Sequence, residues 1–110
     1  MIKLCAVHEL EEGCSKGFEA AGVSIVAVKK YGDIHLYENR CPHLGIQMEM
    51  VPDQFLDTSR SLIMCSMHGA LFRIEDGLCI SGPCLNHKLK EVKFEIHNDL
   101  IYFTPDKNGQ

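Results

Sequence analysis

Two short stretches of this 110-residue chain combine the side chains that bind soft and borderline metals. The first is Cys41-Pro42-His43-Leu44-Gly45, and the second is Cys65-Ser66-Met67-His68-Gly69. Each offers a thiolate sulfur and an imidazole nitrogen, donors that suit zinc and iron–sulfur centres. Glycine beside each pair lets the backbone bend tightly, and Pro42 fixes its own φ and stiffens the first loop. A lone cysteine or histidine is most often a core thiol or a surface imidazole. Two pairs of one form, separated by the 21 residues between His43 and Cys65, point instead to one centre held by Cys41, His43, Cys65 and His68. Four such donors suit tetrahedral zinc. Common zinc modules, however, pair cysteine with cysteine and histidine with histidine, whereas here the types alternate. On donor type alone, zinc and iron–sulfur both stay open.

The elements that must position these loops read as short strands. Ser24 to Lys30 is rich in β-branched residues and alternates weakly, Ile25 and Ala27 against Val26 and Val28. The turn Tyr31-Gly32-Asp33 then leads into Ile34 and Leu36, predicting a hairpin. Val92, Phe94 and Ile96 alternate with Lys93 and Glu95, and Asn98-Asp99 turns the chain into Leu100 to Phe103, a second hairpin. Leu62 to Cys65, Leu71 to Arg73 and Leu78 to Ile80 are further short strands, with Glu75-Asp76-Gly77 a turn between the last two. Helix signal is confined to one turn over His8 to Glu12, stopped by Gly13. The expectation is a single, mainly β domain over residues 1–110. Its β-rich base comes from about residues 1–39 and 85–110, and a small metal-binding lobe is inserted at about 40–84.

Bulk properties narrow the function. The composition is that of an ordinary globular chain, 45% hydrophobic and 24% charged. A net charge of −4 argues against nucleic-acid binding, which needs a basic face, and suits a basic patch on a protein partner. No apolar run approaches the ~20 residues that cross a bilayer. The first residues, with Glu9, Glu11 and Glu12, do not form a secretory signal, so the cytoplasm is the expected location. With no export signal, the six cysteines read as metal ligands or reduced thiols more than as disulfides. Cys79 and Cys84 are close enough in sequence to form a pair, and reduced thiols are the favoured reading. His8, His35, His87 and His97 lack a cysteine at metal spacing.

The order Cys-x-His, then Cys-x-x-His, resembles the Rieske signature. The likeness continues through His43-Leu44-Gly45, His68-Gly69, Phe72 and Glu75-Asp76-Gly77. Ser81-Gly82-Pro83 is similar to the proline loop that covers the cluster in that family. The resemblance spans about residues 24–104. It implies an antiparallel β-sandwich, the Rieske fold, carrying one [2Fe–2S] cluster with two cysteines on one iron and two histidines on the other. The gap between the loops is long for such a chain, and Met50 to Ser61 reads as the added length.

Within the family, respiratory-chain members place a cysteine in each cluster loop, joined as a disulfide, and a serine and a tyrosine after the second loop. Here Ile46 and Met67 stand at the first two places, and Ala70 and Phe72 at the others. Fewer donors toward sulfur imply a potential at the low end of the Rieske range, about −150 mV. The sequence thus resembles the Rieske ferredoxins of bacterial aromatic-ring oxygenase systems. That likeness implies a soluble single-electron carrier between a flavin-dependent reductase and a terminal oxygenase or other redox acceptor, with no substrate-converting site of its own. The alternatives are a small Rieske subunit of a nitrite-reductase-type enzyme, a redox-responsive regulatory module and a structural zinc module.

Overall fold

The computed structural model describes residues 1–42, 48, 53–65 and 69–105. Nine strands are present among them: β1 (Ile2–Ala6), β2 (Cys14–Ala20), β3 (Val23–Lys30), β4 (Asp33–Glu38), β5 (Leu62–Met64), β6 (Leu71–Arg73), β7 (Cys79–Ser81), β8 (Phe94–His97) and β9 (Leu100–Phe103). They form three antiparallel three-stranded sheets, ordered β1-β9-β8, β2-β3-β4 and β5-β6-β7. A 3-10 turn at Val7–Glu9 follows β1, and the Ala6 N–H donates to Glu9 Oε2 at 2.9 Å.

The β2-β3-β4 sheet is the middle layer. Along β3, Val26 and Val28 enter one buried cluster with residues of β5, β6 and β7, including Ile63, Phe72 and Cys79. Ile25 and Ala27 enter a second cluster with Cys5 of β1 and Ile101 and Phe103 of β9. Successive strand side chains point to opposite faces. A strand with an apolar layer on each face must therefore be apolar throughout, and this explains the weak alternation of Ser24 to Lys30. In β4, Leu36 serves the far core and Tyr37 the core beside the cysteine loops.

Three hairpins turn through two residues with positive φ: Ala21-Gly22 between β2 and β3, Tyr31-Gly32 between β3 and β4, and Asn98-Asp99 between β8 and β9. That pair of conformations matches the right-handed strand twist. Asp33, expected in the turn, instead pairs with Lys30 and opens β4. The Glu12 carboxylate accepts the Tyr31 and Gly32 N–H groups at 2.6 and 2.8 Å, which fastens this turn and lowers the carboxyl's pKa. The strands β1 and β2 were not foreseen. Their half-buried, mixed sequences, IKLCA and CSKGFEA, carry no clear period.

The expected insertion has a definite seat over the described residues 53–61. Asp53 Oδ1 accepts the Gly17 N–H at 2.8 Å, and Ser15 Oγ donates to Asp53 O at 2.7 Å. Phe55 donates its N–H to Ser15 Oγ and buries its ring against Gly17, where an added Cβ would lie 3.2 Å from the ring. Leu56 bridges to Ile63 of β5. The segment therefore fastens the β5-β6-β7 sheet to the edge of the middle layer. Met50, Val51 and Pro52 lie outside the described residues.

Candidate metal centre

Cys41 follows β4 and Cys65 follows β5, so each expected thiol ligand stands just past the end of a strand. Both are fully buried, and both belong to the apolar cluster formed with Met48, Ala70, Phe72, Cys79 and Cys84. Their partners in the motif, His43 and His68, lie outside the described residues, as do Leu44 to Gln47, Ser66 and Met67. Among the described residues no group of three or more histidine, cysteine or acidic side chains converges.

The ends of both cysteine loops are clamped. Asn39, a buried polar residue, accepts the Met48 N–H on Oδ1 at 2.8 Å, tying the chain just before Cys41 to the far end of the first loop. Its backbone N–H donates to Ser24 O at 2.8 Å. In the second loop, the Cys65 N–H donates to Ala70 O at 2.9 Å and the Gly69 N–H donates to Cys65 O at 2.7 Å. Gly69 takes φ +70, a left-handed conformation that glycine adopts without strain. Nothing in the sequence singled out Asn39, whose role depends on a contact nine residues away.

The segment after β7 packs against Ala70 and Cys41, described residues at the ends of these loops. Gly82, at φ +101, approaches so near that a Cβ there would lie 2.8 Å from Ala70 Cα. The hydrogen bonds Leu85 N–H to Gly82 O (3.3 Å) and His87 N–H to Cys84 O (2.8 Å) shape the turn. It brings Cys84 Sγ to 3.7 Å from Cys41 Sγ, with both side chains buried. Cys79 Sγ instead lies 3.2 Å from Ser81 O, and no disulfide links any of the six cysteines. The spacing in sequence suggested Cys79 as the neighbour of Cys84, whereas the fold makes that neighbour Cys41.

The β6-β7 hairpin that carries this segment is bulged. Leu71 faces Ser81 and Phe72 faces Cys79, so the register skips Ile80 and turns its side chain outward, 44% exposed. Leu85, beyond the covering turn, is 53% exposed. At the hairpin's tip, Arg73 pairs with the Asp76 carboxylate, which also accepts the Leu78 N–H at 3.0 Å. The Arg73 bond foremost, then the Leu78 N–H, pulls the Asp76 carboxyl down to about 2.

The donor chemistry fits an iron–sulfur group. Two buried thiols, each beside a clamped loop, belong to one apolar cluster. Ala70 and Phe72, fully buried there, bring no side-chain hydroxyl.

Comparison with known proteins agrees. The family model for the Rieske [2Fe-2S] domain matches residues 1–96. Human apoptosis-inducing factor 3 is 28% identical over 106 residues, and the chain spans only 16% of that protein's length. Ferredoxin CarAc of Metapseudomonas resinovorans is 27% identical over 107 residues, covering 96% of this chain and 94% of that one. In fold, the ferredoxin of carbazole 1,9a-dioxygenase from Nocardioides aromaticivorans IC177 superposes with a TM-score of 0.76 at 17% identity, covering 96% and 97% of the two chains. A chain from the carbazole-bound oxygenase and ferredoxin complex of carbazole 1,9a-dioxygenase superposes at 0.78 with 20% identity, over 93% of this chain and 27% of that one. With that family model matching residues 1–96 of its 110, the chain belongs to the Rieske [2Fe-2S] domain family.

Proposed function

We propose that this chain is a one-electron carrier whose [2Fe–2S] cluster is held by Cys41, His43, Cys65 and His68. The observation that carries this reading is the burial of Cys41 and Cys65 in one apolar cluster that also includes Cys84 of the turn after β7. When bound, the cluster supplies a one-electron redox couple. Cys41 and Cys65 would hold one iron as thiolates, and His43 and His68 the other as neutral imidazoles. Two imidazoles in place of two further thiolates bring two fewer negative charges, which favours accepting an electron. Ala70 and Phe72 have no side-chain donor to offer sulfur, and this supports a potential near the low end of the Rieske range, about −150 mV.

The relatives support a route for the electron. Similarity to Ferredoxin CarAc over nearly the whole of both chains, and to the ferredoxin component of an alkene monooxygenase system, supports delivery to a terminal oxygenase or a similar acceptor. The electron donor in this proposal is a flavin-dependent reductase. Ile80 and Leu85, exposed on either side of the covering turn, give an apolar rim for such docking. Such a carrier converts no substrate itself and works in the cytoplasm. No helix among the described residues is long and apolar enough to cross a membrane. A second reading has its own support in the match to a protein about six times longer: the same domain, bound stably within a larger redox assembly. Co-purification with a partner at lasting stoichiometry favours that second reading over a shuttle.

The test is the EPR spectrum of the dithionite-reduced protein, followed by a redox titration. A rhombic signal with an average g below that of all-cysteine clusters, and a potential near the low Rieske limit, is the expected result. Zinc with no reduced-state signal would replace the carrier by a structural metal module. A strongly positive potential would overturn the low-potential assignment alone.

A further inference from the structure

We infer that Cys84 is a positioning residue for the centre, its thiol donating a hydrogen bond to the sulfur of Cys41 and raising the reduction potential. This rests on the cluster reading above. The two sulfurs lie 3.7 Å apart, inside the range of a sulfur hydrogen bond, and both side chains are shut off from water. Either sulfur has the geometry to donate. Once Cys41 binds iron it is a thiolate without a proton, so the proton between them can only be that of Cys84.

The fold holds Cys84 in this place. The turn from Gly82 to Leu85 and the His87 N–H on Cys84 O fix its backbone, and the approach of Gly82 to Ala70 sets the depth of the turn. Cys79, the nearer cysteine in sequence, has its sulfur beside Ser81 O. Where Ala70 and Phe72 supply no hydroxyl, the Cys84 thiol is a side-chain donor within the same buried cluster. A hydrogen bond to a sulfur that gains negative charge strengthens on reduction and so stabilises the reduced state.

The experiment measures the midpoint potential of the cluster-loaded protein and its Cys84→Ala, Cys84→Val and Cys84→Ser variants. It also looks for an exchangeable proton coupled to the reduced cluster, by pulsed EPR in H2O and D2O. Losing the donor should shift the reduction equilibrium toward the oxidised state about three- to tenfold, a tenfold change being 59 mV for one electron. Alanine and valine should both show this shift. Serine, which keeps a donor, should restore the potential to the parent value or above. The coupled proton should be present in the parent and absent from the alanine and valine variants.

Valine at the parental potential, or serine falling as far as alanine, would reduce Cys84 to a packing residue and overturn the inference. If the alanine and valine variants fail to load, the proton measurement on the parent decides: no exchangeable coupling means no bond. Absence of any Rieske signal in the parent overturns the cluster reading itself. A normal parent signal with unchanged variants overturns only the role of Cys84.

Discussion

At the scale of single residues, Tyr37 is tightly held in the core that also contains Cys41 and Cys65. It is fully buried, and its Oη donates to Ile74 O at 2.6 Å, joining β4 of the middle layer to the end of β6. Burial, reinforced by the nearby carboxylates of Glu91, Asp76 and Glu75, pushes its phenol far above the usual tyrosine range. The hydroxyl therefore remains a donor at every pH at which the protein is handled. Its ring lies so close to Gly77 that a Cβ there would come within 2.9 Å of Cε1. Removing the hydroxyl leaves the buried Ile74 carbonyl without this partner, and Tyr37→Phe should cost about 1–3 kcal/mol. Urea unfolding checks this, and an unchanged midpoint would mean that the carbonyl finds water in the variant. The motif made the candidate ligands legible, because their chemistry is written in residue type and spacing. The contacts that hold them were not. Tyr37 to Ile74, Asn39 to Met48 and Cys84 to Cys41 are set by how strands and turns come together, which no local pattern encodes.

At the scale of elements, the short β6-β7 hairpin connects the second cysteine loop to the covering turn. Its tip depends on Asp76, which binds Arg73 and caps the Leu78 N–H. Its carboxyl stands at about 2 in the folded protein against 3.8 as its ordinary value. A lowered folded-state pKa means that the ionised form favours folding. The contribution is complete above pH 3.8 and is lost as pH falls from there through about 2. Asp57 adds in the same direction: burial would raise its carboxyl, but the bonds from Ser59 Oγ and the Leu62, Ser61 and Arg60 N–H groups together outweigh it. For Asp76→Asn, the thermal midpoint should be lower than the parent's at pH 7, and the two should converge near pH 2. A constant gap across that range would show that the charge of Asp76 is not what holds the tip. This hairpin, like β3-β4 and β8-β9, was readable because a turn signal separates two apolar runs. β2 was hidden, since its edge faces the inserted segment and its lysine, glycine and glutamate mask the strand period.

At the scale of the whole molecule, the expected division into a base and an inserted lobe meets a structure in which one strand serves both. β3 is buried on both faces, so the core around Cys41 and Cys65 and the core around Ile101 and Phe103 share a wall. A 110-residue chain has a small interior, and splitting it leaves two cores that are each marginal alone. The cores should therefore fail together. Ile101→Ala, placed in the sheet away from the cysteine loops, removes buried apolar volume and should cost about 2–5 kcal/mol. Because a bound cluster stabilises only the folded chain, loss of its visible absorption reports on the pocket, while far-UV circular dichroism reports on the backbone. In the variant both should shift to lower denaturant and keep a common midpoint. If instead the backbone signal moved and the cluster absorption stayed at the parental midpoint, residues 40–84 would be an independently stable lobe. β3 would then be a wall that each side can lose without the other.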